Sequence, residues 1–193
     1  MPRREVLTPA ERESLLAFPT DESELIRHYT LNRVDRTFVR QHRGAQNWLG
    51  IAVQLCYLRQ PGRTLGVEEV PPPTLLGIVA AQLKVSAALW DAYARRDQTR
   101  REHQQELVRW LGLRLFTREH FKVLSLWLVD TALRTTQSIV LAKAVIDEIR
   151  RRRIVLPPVR VIELLTATAA TRAQRQVYRL LTAPVVIEAM RGP

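Results

Sequence analysis

Residues 43–63 read RGAQNWLGIAVQLCYLRQPGR, and this stretch decides the fold. Trp48, Ile51, Leu55 and Leu58 recur at helical spacing, so residues 45–59 form a helix whose body is core. It opens on the turn His42-Arg43-Gly44 and closes at Gln60-Pro61-Gly62, where proline cannot continue a helix. Its ends differ in kind from its body: Gln46 and Asn47 stand at the mouth, Arg59 and Arg63 at the exit. Side-chain amides match adenine edges, and arginine forks match phosphate. A helix buried along its length and polar-basic at its tips has the layout of a DNA-reading element.

Outward from this helix the text reads as helices throughout, which makes the fold class all-α. Thr8-Pro9-Ala10-Glu11 has capping-box spacing with proline at the first helical position, and that helix ends before Pro19. Thr20 is the expected cap of a second helix, to about Tyr29. Thr30 or Asn32 starts a third, with Leu31, Val34 and Phe38 on one face and Arg33, Arg36 and Arg40 turned away. Residues 61–73, PGRTLGVEEVPPP, form a Pro/Gly-rich connector in which 64–70 is a minor strand or a stiff linker. Further helices are expected from Pro73 to 83, over 87–96, over 99–113, from the Thr117 cap to about Arg134, and from Ser138 to Arg153. Leu156-Pro157-Pro158 breaks the chain, and two last helices follow near 159–168 and 171–182. The expected architecture is two small helix-turn-helix-like modules with a C-terminal helical extension. Residues 1–62 form the first module, 63–73 the linker and 74–183 the second, whose helix-turn-helix-like unit occupies 74–95.

A chain of 193 residues can bury a real core, and its net charge of +11 with a pI near 11.0 favours a polyanionic partner. Lysine occurs only at 84, 122 and 143, so the positive charge is almost all arginine, whose planar fork suits phosphate and guanine edges. A GC-rich genome accounts equally well for arginine over lysine, though not for the net charge. The single Cys56 excludes an internal disulfide framework and any cysteine-based zinc cluster. Nothing approaches a run of 18 apolar residues, and MPRREVLTPAE lacks a signal-peptide apolar region. The expected protein is cytoplasmic and nucleoid-associated, with no membrane and no small-molecule substrate.

The segment NWLGIAVQLCYLRQPGR (47–63) resembles one near the N-terminus of the large replicative transposases of the Tn-three family. Text from LTPAERESLLAFPTDESELIRHYTL (7–31) to LGLRLFT (111–117) resembles the same region, often catalogued only as a domain of unknown function. The resemblance covers roughly residues 5–180. It implies a bacterial, non-catalytic region that binds the terminal inverted repeats of a transposon. It also implies that the catalytic carboxylates, which use magnesium, lie downstream and outside this chain.

Apart from the resemblance, the strongest local pattern is VAAQLKVSAALWDAY at 79–93. A helix-turn-helix needs a small residue where its helices cross and apolar residues flanking the turn. Ala80 supplies the first, and Val79, Leu83, Val85, Trp90 and Tyr93 the second, while Lys84 replaces the usual turn glycine. Lys84 and Ser86 would assist Arg95, Arg96, Arg100 and Arg101 in clamping the DNA backbone; a solvated basic helix surface gives the same pattern. The hairpin of helices 31–41 and 45–59 offers a second reading surface, where Arg33, Arg36, Arg40, Arg43, Gln46 and Asn47 cluster around a turn. Gln46 and Asn47 either contact adenine or only satisfy backbone at the helix start. Arg150, Arg151, Arg152 and Arg153 exceed what capping of a helix C-terminus requires, which fits phosphate contact.

Catalysis finds no constellation. Asp35, Asp91, Asp130 and Asp147 are scattered, and His28, His42, His103 and His120 lack paired-ligand spacing. Ser86 and Ser125 lack a nucleophile elbow, and there is no glycine-rich phosphate loop. Trp48, Trp90, Trp110 and Trp127 read as core. The expected activity is therefore non-catalytic double-stranded DNA binding, without metal or cofactor, with the remainder of a transposase as the other partner. The alternatives are a helical protein–protein interaction module and a stand-alone helix-turn-helix transcription regulator.

Overall fold

The computed structural model describes residues 6–189 except Thr20, Val67, Glu68 and Arg96, and gives no side-chain description for Glu22, Ala94 and 183–189. Among the described residues eleven helices follow one another: α1 (Pro9–Leu15), α2 (Glu22–Tyr29), α3 (Arg33–Arg40), α4 (Ala45–Arg59), α5 (Pro73–Leu83), α6 (Leu89–Ala94), α7 (Asp97–Trp110), α8 (Arg118–Trp127), α9 (Val129–Ala132), α10 (Ser138–Arg151) and α11 (Val159–Ala189). The all-α class holds.

Local chemistry sets many of the boundaries. Thr8 and Glu11 close a reciprocal capping box at α1, Asn32 and Asp35 do so at α3, and Thr117 and His120 at α8. The cap of α2 is Asp21, whose carboxylate accepts from Glu24 N (3.2 Å); the expected cap Thr20 lies outside the described residues. Two expectations of length are corrected. The helix expected over 117–134 is interrupted at Leu128, dividing α8 from α9. The two last helices are one, because Ala169, Ala170 and Thr171 carry no breaker and Ala169 packs inward. Residues 64–70 form no strand among those described; only single parallel bridges occur, Arg63 with Leu156 and Arg114 with Ile154.

The chain divides into two compact units that do not follow the Pro/Gly-rich connector. One comprises residues 17–115 with 153–156, the other 1–16, 116–152 and 157–193. The expected boundary at 63–73 therefore falls inside the first of these. The reason is α4. Residues 49–58 are all buried, so every face of this helix needs cover, and α2, α3, α5, α6 and α7 supply it. At Gly50 a β-carbon would sit 2.3 Å from the Tyr93 ring, so glycine is what lets α4 and α6 approach. Gln82 ties α5 to the end of α2, its Nε2 donating to the Tyr29 carbonyl (2.9 Å) and its Oε1 accepting from Leu31 N (2.7 Å). Residues 153–156 join by backbone: Val155 N donates to Arg114 O and Leu156 N to Gly62 O, each at 2.9 Å.

The second unit packs α10 against α11 through Leu141, Val145, Ile149, Ile162, Leu165 and Ala169. α8 and α9 cover another side of α11, and α1 rests on α10. Arg12 Nε donates to Glu163 Oε1 (2.7 Å), and Arg172 Nη1 to the buried Ser125 hydroxyl (2.8 Å).

Candidate nucleic-acid interface

Arginines that the text places together part company in three dimensions according to whether an acid or a carbonyl is within reach. On α3, Arg33, Arg36 and Arg40 are exposed on one face, three and four residues apart. With Leu31 and Thr37 they line an open groove of about 480 Å³. Arg36 Nε donates to the Leu31 carbonyl (3.1 Å), and the Arg40 guanidinium lies 5.8 Å from the Trp48 ring. Arg43 stands exposed on the turn that follows. Among the described residues none of these four arginines meets a carboxylate.

That turn leads into α4 through Gly44, whose φ of 95° belongs to glycine, and α4 carries no side-chain cap. Asn47 is held by its own turn, since Nδ2 donates to the Arg43 carbonyl (2.7 Å). Its Oδ1 is buried without a partner. Of the two amides proposed to read adenine, Asn47 thus takes the backbone-satisfying place. Gln46 is half-buried, with its carboxamide folded over Gly44.

Arg59 and Arg63 sit differently from the phosphate-facing position expected of them. Asp35 is fully buried and receives the Arg59 fork at 2.9 and 2.6 Å. The same Asp35 accepts from Asn32 N (2.8 Å), so it caps α3 and pins the exit of α4 together. Arg63 forks onto Glu69 and covers the Tyr57 ring at 5.1 Å. Burial would raise the Glu69 carboxyl, but the Arg63 fork and the Gly66 amide outweigh it and leave it below the usual range. Burial pushes the Cys56 thiol up to about 12, so it is an inert part of the core.

The α5–α6 hairpin turns tightly and has a short second arm. Lys84 adopts the left-handed conformation (φ 58°) at the place where glycine is usual, and Val85 N closes the turn onto Ala80 O at 3.0 Å. Lys84 and Ser86 are exposed, with the Ser86 hydroxyl accepting from Ala88 N (3.3 Å). α6 has six residues, of which Trp90 and Tyr93 are buried, leaving Asp91 and Ala92 outward and the exposed Arg95 just beyond. Arg96 lies outside the described residues. Arg100 is buried at 7% exposure and donates to the Gly66 carbonyl (2.7 Å), whereas Arg101 is exposed. Beneath them, Tyr93 meets Gln54 and His103, and His42 meets Glu106 at 2.9 Å. Burial first, and the neighbouring His42 second, lower the pKa of His103.

The tetra-arginine run is mostly committed to its own helix end. Arg151 and Arg152 both donate to the buried Glu148 at 2.6 Å, and these bonds hold its carboxyl down to about 2. Arg153 (φ 56°) donates to the Leu111 and Gly112 carbonyls. Arg150 is exposed beside Asp147 at 3.7 Å. Sequence reading passed over a second basic stripe, Arg172, Arg175 and Arg179 on α11, of which Arg175 and Arg179 are exposed and Arg172 is half-buried on Ser125; its spacing repeats that of Arg33, Arg36 and Arg40. That repeat of three and four was the available signal. Trp127, read as core, is 37% exposed. Among the described residues no group of three or more His, Cys, Asp or Glu could hold a metal ion, and no helix is long and apolar enough to cross a membrane.

The profile of a family described as a domain of unknown function, DUF4158, matches residues 6–169. The chain is 52% identical over 182 residues to the transposase for transposon Tn3926 of Escherichia coli, covering 94% of this chain and 18% of that protein. It is 49% identical to the transposase for transposon Tn21 of Escherichia coli over 96% of this chain and 19% of the relative. Identity to the transposase for transposon Tn501 of Pseudomonas aeruginosa is 44%, again over 96% and 19%. The chain thus spans about a fifth of the length of these relatives.

Proposed function

The chain belongs to the DUF4158 family, homologous to the N-terminal portion of Tn-three-type transposases, and on that premise we propose that it binds the terminal inverted repeats of a transposon as duplex DNA and performs no chemistry itself. The observation that carries this reading is the stripe Arg33, Arg36 and Arg40 with Arg43 beyond it, exposed and free of carboxylates among the described residues. From Arg33 to Arg40 the helix rises about 10 Å, enough to follow about three phosphates of one strand. Phosphate contacts hold register; sequence is read by whatever side chain reaches the base edges beside them. Gln46, at the mouth of α4 and next to Arg43, is that side chain, and its amide fits adenine. Lys84, Ser86, Arg95 and Arg101 make a supporting backbone contact around the α5–α6 turn. Arg59, Arg63 and Arg100 act from behind, holding the frame that presents the stripe.

The test is a fluorescence-anisotropy titration of the whole chain on a terminal repeat from a relative's transposon and on a scrambled duplex, across a salt series. The repeat should bind about a thousandfold tighter than the scramble, and both affinities should fall steeply with salt. Equal affinities at every salt concentration would sink sequence-specific binding; affinities indifferent to salt would sink the phosphate stripe.

A further inference from the structure

We infer that residues 174–181 of α11 form a docking face for an acidic amphipathic helix of a protein partner. Ile162, Leu165, Ala169, Ala173, Val177 and Leu180 step along α11 by three or four residues, the spacing of one continuous helical face. Its first four members are buried against the neighbouring helices of their unit, with exposures of 0 to 3%. Among the described residues the cover then ends. Residues 174–181 are exposed without exception, and along them Val177 is 43%, Leu180 68%, Leu181 69% and Tyr178 70% exposed. An apolar stripe that is core for half its length and bare for the rest is an interface face.

The occupant follows from what flanks the stripe. Arg172, Arg175 and Arg179 run along one side, and with Gln176 and Leu180 they line an open groove of about 470 Å³. A helix with leucines or valines along its centre and carboxylates along the matching edge satisfies both features. Duplex DNA answers only the arginines and leaves Val177, Leu180 and Leu181 against phosphate with nothing to gain. A second copy packed antiparallel sets each arginine edge against its own equivalent, in a chain already at +11. This surface differs from the α3 stripe in this respect: the arginines of α11 border exposed aliphatic side chains, and those of α3 line a groove with Thr37 and the buried Leu31, with Arg40 near the half-buried Trp48 ring.

The test uses the whole chain and two synthetic helical peptides with the same leucine stripe, one flanked by glutamates and one by lysines. The glutamate peptide should bind about tenfold or more tighter than the lysine peptide. Leu180→Ser with Leu181→Ser should abolish binding of both, and Arg175→Glu with Arg179→Glu should reverse the preference. All four positions are exposed, so circular dichroism should be unchanged. Absence of binding, or equal binding of the two peptides, overturns the inference. Concentration-dependent dimers that Leu180→Ser dissolves identify a second copy as the occupant and overturn it too. So does protection of residues 174–181 from hydrogen exchange by duplex DNA alone, which assigns the face to phosphate.

Discussion

Two arginine groups on this protein have the same composition and opposite fates. Arg33, Arg36 and Arg40 lie on one side of α3 and reach no carboxylate among the described residues, while Arg150 to Arg153 are consecutive and largely tied down. Four consecutive residues at a helix end point in different directions, so they cannot present one face, and some must point back at the chain. Glu148 stands three and four residues before Arg151 and Arg152, the distance at which helical side chains meet, and it takes both. No acid occupies the equivalent places, which are Arg33 and Asn32 before Arg36 and Thr37 and Arg36 before Arg40, and the nearby Asp35 is turned inward to Arg59. A cluster is available to a ligand when its spacing matches a face and its nearby acids are engaged elsewhere. Density of charge in the text is not the criterion.

The contrast is open to experiment. The largest effect should come from replacing Arg33, Arg36 and Arg40 together by alanine. Duplex affinity should fall about a thousandfold near physiological salt, and the slope of log affinity against log salt should drop by about three. The matching replacement of Arg151 and Arg152 should leave duplex affinity within about twofold. If the two variants lose affinity equally in the same titration, the distinction between the groups fails.

A smaller effect is expected from Glu148→Gln, which should cost about 2 kcal/mol in urea unfolding, because charge-assisted bonds to two arginines are lost. The same variant should gain weak, salt-sensitive affinity for any duplex, since it releases those guanidinium groups. Glu148 also sets a pH dependence. Its carboxyl is held at about 2 in the folded chain against an ordinary value of 4.5. The stability it supplies is complete above about 4.5 and is lost as pH falls from there toward 2. Unfolding midpoints of the wild type and Glu148→Gln should therefore converge over that interval and stay apart at neutral pH.

The smallest effect is at Lys84, which adopts φ 58°. Lys84→Gly should stabilise the chain by about 1 kcal/mol, because glycine pays no penalty in the left-handed region. Duplex affinity should fall only slightly, as the residue supports rather than leads contact. A thermal melt that drops instead would show that the lysine stem contributes packing at the turn.

Much of the framework was legible because its causes are local. The boxes at Thr8, Asn32 and Thr117 rest on residues three apart, and α4 announces itself by apolar periodicity bounded by Gly44 and Pro61. The α3 stripe could be read for the same reason, since its three arginines share one helix. The partners of Arg59 and Arg100 could not. Asp35 lies 24 residues from Arg59, and Gly66 lies 34 residues from Arg100. No periodicity spans such distances. The division into units was hidden likewise, because residues 153–156 join 17–115 by backbone pairing that leaves no side-chain pattern.

By itself the amino-acid order determined an all-helical, strongly basic chain, the ends of most of its helices and the family to which it belongs. Each of these depends on neighbours within one or two helical turns, or on composition. Only the tertiary structure decided which arginines face solvent and which hold the frame, and that the apolar stripe of α11 outruns its cover. Those outcomes turn on which distant carboxylate, carbonyl or helix arrives beside a side chain, and that is settled when the core closes around α4 and along α11.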